Sequence, residues 1–304
     1  MILILPMTKA KMRNLIILAF VILALLIAAA LPRYEHQNHP YFDNFDSYPL
    51  VIAHADDTGQ GLWPGSTMVF LEGATQLGVD VLEIDVHMSK DGHIVVMHDD
   101  TVDRTTNGSG KISQLTLKEI KELEVGANWS PDGGSTYPYR EAGLRVPTVA
   151  EVFTLFPDKP LNIEIKQEDP SLAQPLCDLI RHFNMSDRVL VPSFSDKAMS
   201  EFRAVCPEVA TAASSSEVRK FVAVNFAFLS KFLAAEYEAF QVPEESSGIP
   251  VVIPHFVHSA HDSNLQVHIW TVNDPADMER FIAMGVDGIM TDRPDLLLDI
   301  LGRR

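Results

Sequence analysis

The chain has 304 residues, of which 46% are hydrophobic, and a formal net charge of -17. This length suits one large domain or two smaller ones, and the apolar fraction is ample for a folded core, so the composition excludes a disordered protein. The negative charge argues against nucleic-acid binding, because phosphate backbones require a basic surface. An anionic substrate would need positive charge supplied locally, by a metal ion or by residues such as Lys166.

The first feature along the chain is an apolar segment, residues 15–31, that follows three basic residues, Lys9, Lys11 and Arg13. It is just long enough to span a membrane as a helix and is longer than the apolar core of most signal peptides. We therefore favour a transmembrane anchor over a cleaved signal, although Ala28-Ala29-Ala30 would fit a cleavage site. Because basic residues before such a segment stay in the cytoplasm, we expect the rest of the chain to be extracytoplasmic. The predicted divisions are a basic terminus (1–14), the anchor (15–31), a linker (32–48) and one folded domain (49–304).

Beyond residue 48, strand-like apolar runs alternate with helix-like segments. Eight such units in about 250 residues are typical of an α/β fold of the (β/α)₈ TIM-barrel type. A doubly wound open sheet is the alternative, but it usually needs a Gly-rich turn after its first strand, which this sequence lacks. The predicted strands are residues 50–54, 80–86, 161–165, 188–192, 209–213, 239–242, 266–271 and 286–291, and the predicted helices include residues 67–77, 149–156, 172–183, 217–235 and 275–284.

The segment from residue 93 to residue 147 is too long for an ordinary loop of a barrel. We expect it to form a small insertion after the second strand, over the mouth of the barrel. Its glycines, Trp129 and several tyrosines favour a lid that shapes a substrate pocket, with a mobile surface excursion as the alternative for its second half.

Charged residues interrupt two of the predicted apolar strands. Glu83 and Asp85 lie two residues apart on the second strand, and Glu164 and Lys166 do so on the third. Since alternate residues of a strand share one face, the three carboxylates converge on a half-buried surface. Such a cluster is costly without a compensating cation, and oxygen ligands of this kind suit Ca²⁺ or Mg²⁺. The sequence therefore predicts one divalent cation held by Glu83, Asp85 and Glu164.

The same residues fall where a barrel would place an active site. Active sites of these barrels lie at the carboxyl ends of the strands. The side chains that end or follow a predicted strand are His54, Asp85, Lys166, Thr271 and Asp292. The polar residues are thus expected to gather at one end of the barrel.

The chain resembles the glycerophosphodiester phosphodiesterase family, whose fold is a phosphatidylinositol-phosphodiesterase-like TIM barrel. The resemblance covers residues 51–301 and includes seven motifs in the expected order. They are Ile52-Ala53-His54, Glu83-Ile84-Asp85, His98-Asp99, Arg104-Thr-Thr-Asn-Gly108, Glu164-Ile165-Lys166, Trp270-Thr-Val-Asn273 and the segment from Gly285 to Pro294.

The resemblance implies a metal-dependent hydrolysis of glycerophosphodiesters to a phosphomonoester, such as glycerol 3-phosphate, and an alcohol. His54 and His98 would be the general base and the general acid, in an order that the sequence leaves open. Lys166 would neutralise a phosphate oxygen, and Trp270 would form a wall of the substrate pocket. Lysophospholipids are a further substrate class if the insertion is apolar enough.

The first motif departs from the family pattern. Where the family reads His-Arg-Gly, this chain has Ala55 and Asp56 after the histidine, and Gly65 replaces the Glu of Pro-Glu-Asn-Thr. The arginine is expected to hold the substrate phosphate, a task that suits a guanidinium group. Its loss favours, as a second possibility, a weak or inactive barrel that binds a phosphodiester or a protein partner at the cell surface. For an otherwise intact site, we expect Ala55→Arg and Gly65→Glu together to improve activity by more than the sum of the single changes.

The chain has two cysteines, Cys177 and Cys206. Both fall in or at the end of helix-like segments, and sequence does not give their separation. Export would permit a disulfide, but we expect two buried free thiols. The absence of a C-x-x-C motif argues against a zinc site that uses sulfur ligands.

Overall fold

The computed structural model describes residues 37–56, 58–227 and 229–304, together with residues 12–13, 15–16 and 18–19 of the N-terminal segment. Most of the predicted membrane segment, residues 15–31, therefore lies outside the described residues. Within the described part of the chain, no helix is long and apolar enough to cross a bilayer.

A ring of eight parallel strands confirms the predicted barrel. The barrel strands are β1 (Leu50–Ala53), β2 (Val81–Met88), β4 (Leu161–Ile165), β5 (Val189–Val191), β6 (Ala210–Thr211), β7 (Ala239–Pro243), β10 (Gln266–Trp270) and β11 (Gly288–Thr291); outside the ring are β3 (Ile94–Val96), β8 (Glu245–Ser246) and β9 (Ile249–Pro250). Each barrel strand except β6 pairs with the next in this order, and β11 pairs with β1. A parallel bridge between Ala212 and Ala239 joins β6 to β7, so the eight strands enclose one interior.

Helices surround the ring. They are α1 (Met68–Leu77), α2 (Leu117–Glu122), α3 (Val149–Leu155), α4 (Ala173–His182), α5 (Asp196–Val205), α6 (Ser215–Phe226), α7 (Pro254–His261), α8 (Pro275–Met284) and α9 (Pro294–Ile300). Helix α3 begins with a capping box. The Thr148 side chain accepts a hydrogen bond from the backbone N–H of Glu151, and the Glu151 side chain accepts one from the backbone N–H of Thr148. Helix α8 ends where Gly285 adopts a left-handed conformation with φ of 83°. The predicted helix 217–235 is shorter than expected, since α6 ends at Phe226.

Strand alternation divides the apolar residues into two layers. Side chains directed at the helices form the main core, in which Ile84, Ile163 and Phe240 are fully buried. On the opposite face, Leu50 and Ile52 belong to a smaller cluster inside the ring. The acids of β2 share this inward face, so the alternation directs them into the barrel.

A short 3₁₀ helix, Pro40–Asn44, closes the end of the barrel at which the strands begin. Tyr41 and Phe42 are buried in a cluster with residues of β5, β6 and β7. The Asn44 amide donates to the carbonyl of Asp187 at 2.7 Å, just before β5, and the His39 ring contacts the carbonyl of Glu208 at 3.2 Å, just before β6. The stretch predicted as a linker thus contributes a plug, residues 39–45, to the folded domain.

The predicted insertion, residues 93–147, begins as strand β3, antiparallel to β2. It has its own apolar cluster, which includes Val102, Ile120 and Val146, all fully buried. Trp129 is also buried and contacts the ring of Tyr139 edge-to-face at 5.5 Å. The second half of the insertion is therefore packed through its aromatic residues, whereas the sequence left a mobile excursion open.

The expectation of two free thiols is wrong, because Cys177 and Cys206 form a disulfide. Cys177 lies within α4 and Cys206 immediately follows α5. These two helices pack side by side on the outside of the barrel. The contact between them depends on tertiary packing, which the sequence spacing of the cysteines does not reveal.

Candidate active site

The polar side chains of the barrel interior gather at the carboxyl ends of the strands. In the parallel register of β2 and β4, Asp85 lies opposite Glu164. His54 follows β1, Lys166 follows β4 and Asp292 follows β11. This is the end opposite to the plug, and we call it the mouth of the barrel. The geometry thus brings together the residues that the sequence placed at strand ends.

Three acids and one lysine form the centre of the site. Glu83, Asp85 and Glu164 each present a carboxylate oxygen, and these oxygens lie within 4.8 Å of one another. The Lys166 ammonium lies 3.0 Å from Asp85 Oδ1 and 3.1 Å from Glu164 Oε1. These ion pairs lack hydrogen-bond geometry, and among the described residues both Asp85 oxygens and Glu164 Oε1 are buried without a hydrogen-bond partner. The cluster therefore retains unsatisfied acceptor oxygens.

The electrostatics of the cluster favour an added cation. Burial, followed by the charge of Asp85, raises the pKa of the Glu83 carboxyl, and the same two causes raise the pKa of Glu164. Burial alone would lower the pKa of Lys166, but the charges of Asp85 and Glu164 outweigh burial and raise it. One ammonium thus faces three acids. Buried oxygens that lack donors, at this spacing, fit a divalent cation such as Ca²⁺ or Mg²⁺.

His54 is held by a carboxylate that follows β11, the neighbour of β1 on the side away from β2. Its Nδ1 lies 2.7 Å from Asp292 Oδ1, and the Asn273 amide donates to the other oxygen of Asp292 at 2.5 Å. Burial would lower the pKa of His54, but the hydrogen bond to Asp292 and the charges of Glu83, Asp292 and Asp85 together raise it to about 9. These carboxylates therefore favour the protonated form of His54. The sequence marked Asp292 and Asn273 as motif residues but gave no sign that they orient a histidine.

His98 has a separate carboxylate partner. Its Nδ1 lies 2.8 Å from Asp99 Oδ1, and the Nε of Arg104 donates to Asp99 Oδ2 at 2.7 Å. The hydrogen bond from Arg104, followed by that from His98, lowers the pKa of Asp99 to about 2, so this carboxylate stays ionised. The His98 side chain is 45% exposed. Both predicted catalytic histidines therefore have an aspartate partner that orients the ring.

Aromatic side chains border the cluster on another side. Trp270, the last residue of β10, contacts the ring of Phe194 edge-to-face at 5.6 Å. The Lys166 ammonium lies 5.9 Å from the centre of the Phe194 ring. Phe194 is 55% exposed. The predicted pocket wall at Trp270 therefore includes Phe194, whose only sequence signal was its position shortly after the fourth barrel strand.

The loop after His54 explains the departure from the family motif. Asp56 turns its carboxylate toward its own loop, where it accepts from the backbone of Thr58, Gly59 and Gly61. A Cβ added at Gly65 would lie 2.2 Å from the backbone carbon of Ala55. Any side chain at Gly65 would thus displace the backbone beside His54.

The packing around these two residues argues against the gain expected from the double change. The Ala55 side chain is buried in the helix-facing core, while the Ala55 amide donates to Glu83 at 2.9 Å. An arginine would have to start from that buried position, and a glutamate at Gly65 has no room. We now expect Ala55→Arg with Gly65→Glu to damage the site rather than improve it.

Comparisons with known proteins agree with this geometry. Residues 59–296 match the Glycerophosphoryl diester phosphodiesterase family. A glycerophosphodiester phosphodiesterase from Caldanaerobacter subterraneus subsp. tengcongensis is 34% identical over 258 residues, which are 83% of this chain and 97% of that protein. The lysophospholipase D GDPD1 of Rattus norvegicus is 25% identical over 281 residues, with coverage of 82% and 85%. Among solved structures, an Oleispira antarctica phosphodiesterase in complex with the product sn-glycerol-3-phosphate has a TM-score of 0.66 at 24% identity, with coverage of 87% of this chain and 100% of that one.

The family match extends from the loop after β1 to the start of α9, so it spans nearly the whole barrel. The bacterial relative is covered almost completely at 34% identity. The chain therefore belongs to the glycerophosphodiester phosphodiesterase family and is an enzyme of that type.

Proposed function

We propose that this chain is a divalent-metal-dependent phosphodiesterase that hydrolyses glycerophosphodiesters to glycerol 3-phosphate and an alcohol. One observation carries the proposal: three convergent carboxylates, with buried oxygens that accept no hydrogen bond, lie at the same end of the barrel as two histidines, each of which has an aspartate partner. This arrangement offers a cation site and two proton-transfer groups within one mouth.

Glu83, Asp85 and Glu164 would hold the cation. When bound there, Ca²⁺ or Mg²⁺ supplies positive charge that neutralises and polarises the phosphate oxygens. Lys166 already lies beside two of these acids and would neutralise a further phosphate oxygen. Since Ala55 contributes no guanidinium group, Lys166 carries a larger share of phosphate binding here than the family motif implies.

The two histidines would divide the proton transfers. The hydrogen bond to Asp292 and the neighbouring carboxylate charges raise the pKa of His54, which suits the acid that protonates the departing alcohol oxygen. His98 would be the base that removes a proton from the attacking water, or from a glycerol hydroxyl whose cyclic product water then opens to glycerol 3-phosphate, with Asp99 stabilising the positive charge that the ring gains. Trp270 and Phe194 would form the apolar wall along the organic part of the substrate.

The test is hydrolysis of a panel of glycerophosphodiesters by the purified chain, followed through glycerol 3-phosphate formation. We expect activity that EDTA removes and that Ca²⁺ or Mg²⁺ restores. Glu83→Gln should abolish the activity, whereas Glu245→Gln, a matched change on the exposed strand β8, should not. Full turnover in EDTA would contradict the metal requirement.

A second candidate is a weak or inactive barrel that binds a phosphodiester or a protein partner. The absence of the motif arginine at Ala55 favours it. In that case calorimetry would detect glycerophosphodiester binding, while no product would form at any metal concentration. Product formation that is lost in His54→Gln would exclude this candidate.

Two further features belong to the proposal. The basic residues before residue 15 support an N-terminal anchor and an extracytoplasmic barrel. Protease added to intact cells should then remove the domain, and protection of the domain would contradict this orientation. The likeness to a lysophospholipase D leaves lysophospholipids as a second substrate class.

A further inference from the structure

We propose that the mouth of the barrel faces away from the membrane that holds the N-terminus. Substrates would therefore be water-soluble glycerophosphodiesters, and lysophospholipids of that same bilayer would be out of reach. The inference rests on the proposed function and on the proposed anchor, and it selects between the two substrate classes left open above.

The plug fixes the point at which the N-terminal segment joins the domain. Its contacts with the carbonyls of Asp187 and Glu208, just before β5 and β6, put it at the end where the strands begin. Tyr41 and Phe42 are 1% and 6% exposed, so the segment is embedded in the barrel rather than loosely attached. The chain therefore enters the domain through its closed end.

The catalytic groups lie at the opposite end. His54 and Asp292 immediately follow the paired strands β1 and β11, and their side chains meet at the mouth. Strands β1 and β11 have four residues each, which extend about 13 Å at about 3.3 Å per residue. The length of the barrel thus separates the reactive groups from the point of attachment.

The segment between the predicted anchor and the plug is too short for the domain to rotate its mouth toward the bilayer. Residues 32–38 separate the predicted membrane segment from the plug, and seven residues span at most about 25 Å. A domain of about 260 residues has a radius of gyration of about 18 Å, hence an outer radius of about 23 Å and a path of about 70 Å from one pole to the other. The mouth therefore has no way to reach the bilayer while the plug stays in place.

Two other observations agree with this arrangement. Four apolar residues of the N-terminal segment that the structure describes, Met12, Leu15, Ile16 and Leu18, are each more than half exposed, so they do not pack on the barrel. The chain also carries a net charge of -17, and four of its basic residues precede residue 37, so they do not offset the negative charge of the folded domain. An anionic bilayer would repel such a domain. In the competing arrangement, exposed Phe194 and Ile249 would insert into the bilayer, and the native tryptophans would then be quenched.

The three tryptophans allow a direct measurement on the full chain in vesicles. Trp270 ends β10, Trp63 lies in the loop after β1, and Trp129 precedes Ser130, whose carbonyl abuts Gly59 of that same loop. All three are therefore at the mouth. We expect lipids with brominated acyl chains to leave their emission unchanged. Tyr34→Trp adds a reporter next to the predicted anchor, and its emission should be quenched.

A substrate comparison gives the second readout. The wild-type chain in vesicles should hydrolyse dissolved glycerophosphocholine but not lysophosphatidylcholine in the same vesicles. Insertion of about 40 Gly and Ser residues between residues 36 and 37 adds an average span of about 35 Å and far more when extended. This variant should gain hydrolysis of the vesicle lipid and keep its rate on glycerophosphocholine.

The outcomes separate the inference from its premises. Quenching of the native tryptophans, or hydrolysis of vesicle lysophosphatidylcholine by the wild-type chain as fast as by the extended variant, would overturn the inference. An unquenched Tyr34→Trp reporter would show that the N-terminal segment is not in the bilayer, and this would also overturn the inference. Failure to hydrolyse glycerophosphocholine would instead refute the proposed function, while the fluorescence result would still decide the orientation.

Discussion

The contact between His54 and Asp292 leads to the most specific prediction for catalysis. The two side chains approach to 2.7 Å, and the Asp292 side chain is only 5% exposed. The shift in the pKa of His54 from 6.5 to about 9 corresponds to about 3 kcal/mol in favour of the protonated ring, on the basis of about 1.4 kcal/mol per pKa unit. The hydrogen bond to Asp292 is the largest of the effects that raise this pKa.

Asp292→Asn replaces the carboxylate by an amide of the same shape. The amide cannot supply the negative charge, so the pKa of His54 should fall by about 1 to 2 units. In the pH profile of kcat, the loss of activity on the alkaline side should move to lower pH by the same amount. At pH 8 a fall of that size reduces the protonated fraction of His54 from about 90% to between about 10% and 50%, so we expect kcat to fall by about 2- to 10-fold. Asp299→Asn, on the exposed side of α9, removes the same charge without contacting His54 and should leave the profile unchanged.

The same contact predicts a pH-dependent stability. The pKa of His54 is higher in the folded chain than its ordinary value of 6.5, so the ion pair contributes its full stabilisation below about pH 6.5. This contribution is lost as the pH rises through about 9. The difference in free energy of unfolding between wild type and Asp292→Asn should therefore be larger at pH 6 than at pH 10. An unshifted alkaline limb together with an unchanged kcat would refute the role of Asp292.

Three other changes test the metal site, the rebuilt loop and the disulfide. Ca²⁺ or Mg²⁺ at about 100 times its Kd should stabilise the folded protein by about 2.7 kcal/mol and raise Tm. Glu83→Gln should abolish this rise in Tm. An unchanged Tm of the wild type would contradict a preformed metal site. Gly65→Ala should lower the free energy of unfolding in urea by about 1 to 3 kcal/mol, because the new Cβ meets the backbone of Ala55. The control Gly108→Ala places its Cβ against the side chain of Leu123 and should destabilise the protein less. Equal losses of stability in the two variants would contradict the steric argument. Loss of the disulfide in Cys177→Ser with Cys206→Ser, which are 29 residues apart, should lower the free energy of unfolding by about 3 to 4 kcal/mol, and an unchanged unfolding curve would contradict its stabilising role.

Much of the barrel could be predicted because strand alternation is a local signal. Apolar runs at regular spacing identified all eight strands to within a few residues. The same period of two placed Glu83, Asp85 and Glu164 on one face, and their oxygens do converge. Position at a strand end was enough to mark Asp292 as part of the mouth.

The parts that the sequence did not predict depend on contacts between distant segments. The disulfide requires the packing of α4 against α5, and the plug requires that Tyr41 and Phe42 enter a barrel formed by later strands. Gly65 resembled a lost functional residue. Its real constraint is the approach of the Ala55 backbone, which is a property of the folded loop.

The plug also determines where a shortened version of this protein can begin. A fragment that starts at residue 49 would retain every strand and every active-site residue, yet it would open the apolar floor of the barrel to water. Full burial of two aromatic side chains the size of Tyr41 and Phe42 contributes about 3 to 6 kcal/mol, which is a large part of the 5 to 15 kcal/mol that stabilises a typical domain. Expression of a fragment from residue 37 should therefore give folded protein, whereas one from residue 49 should aggregate.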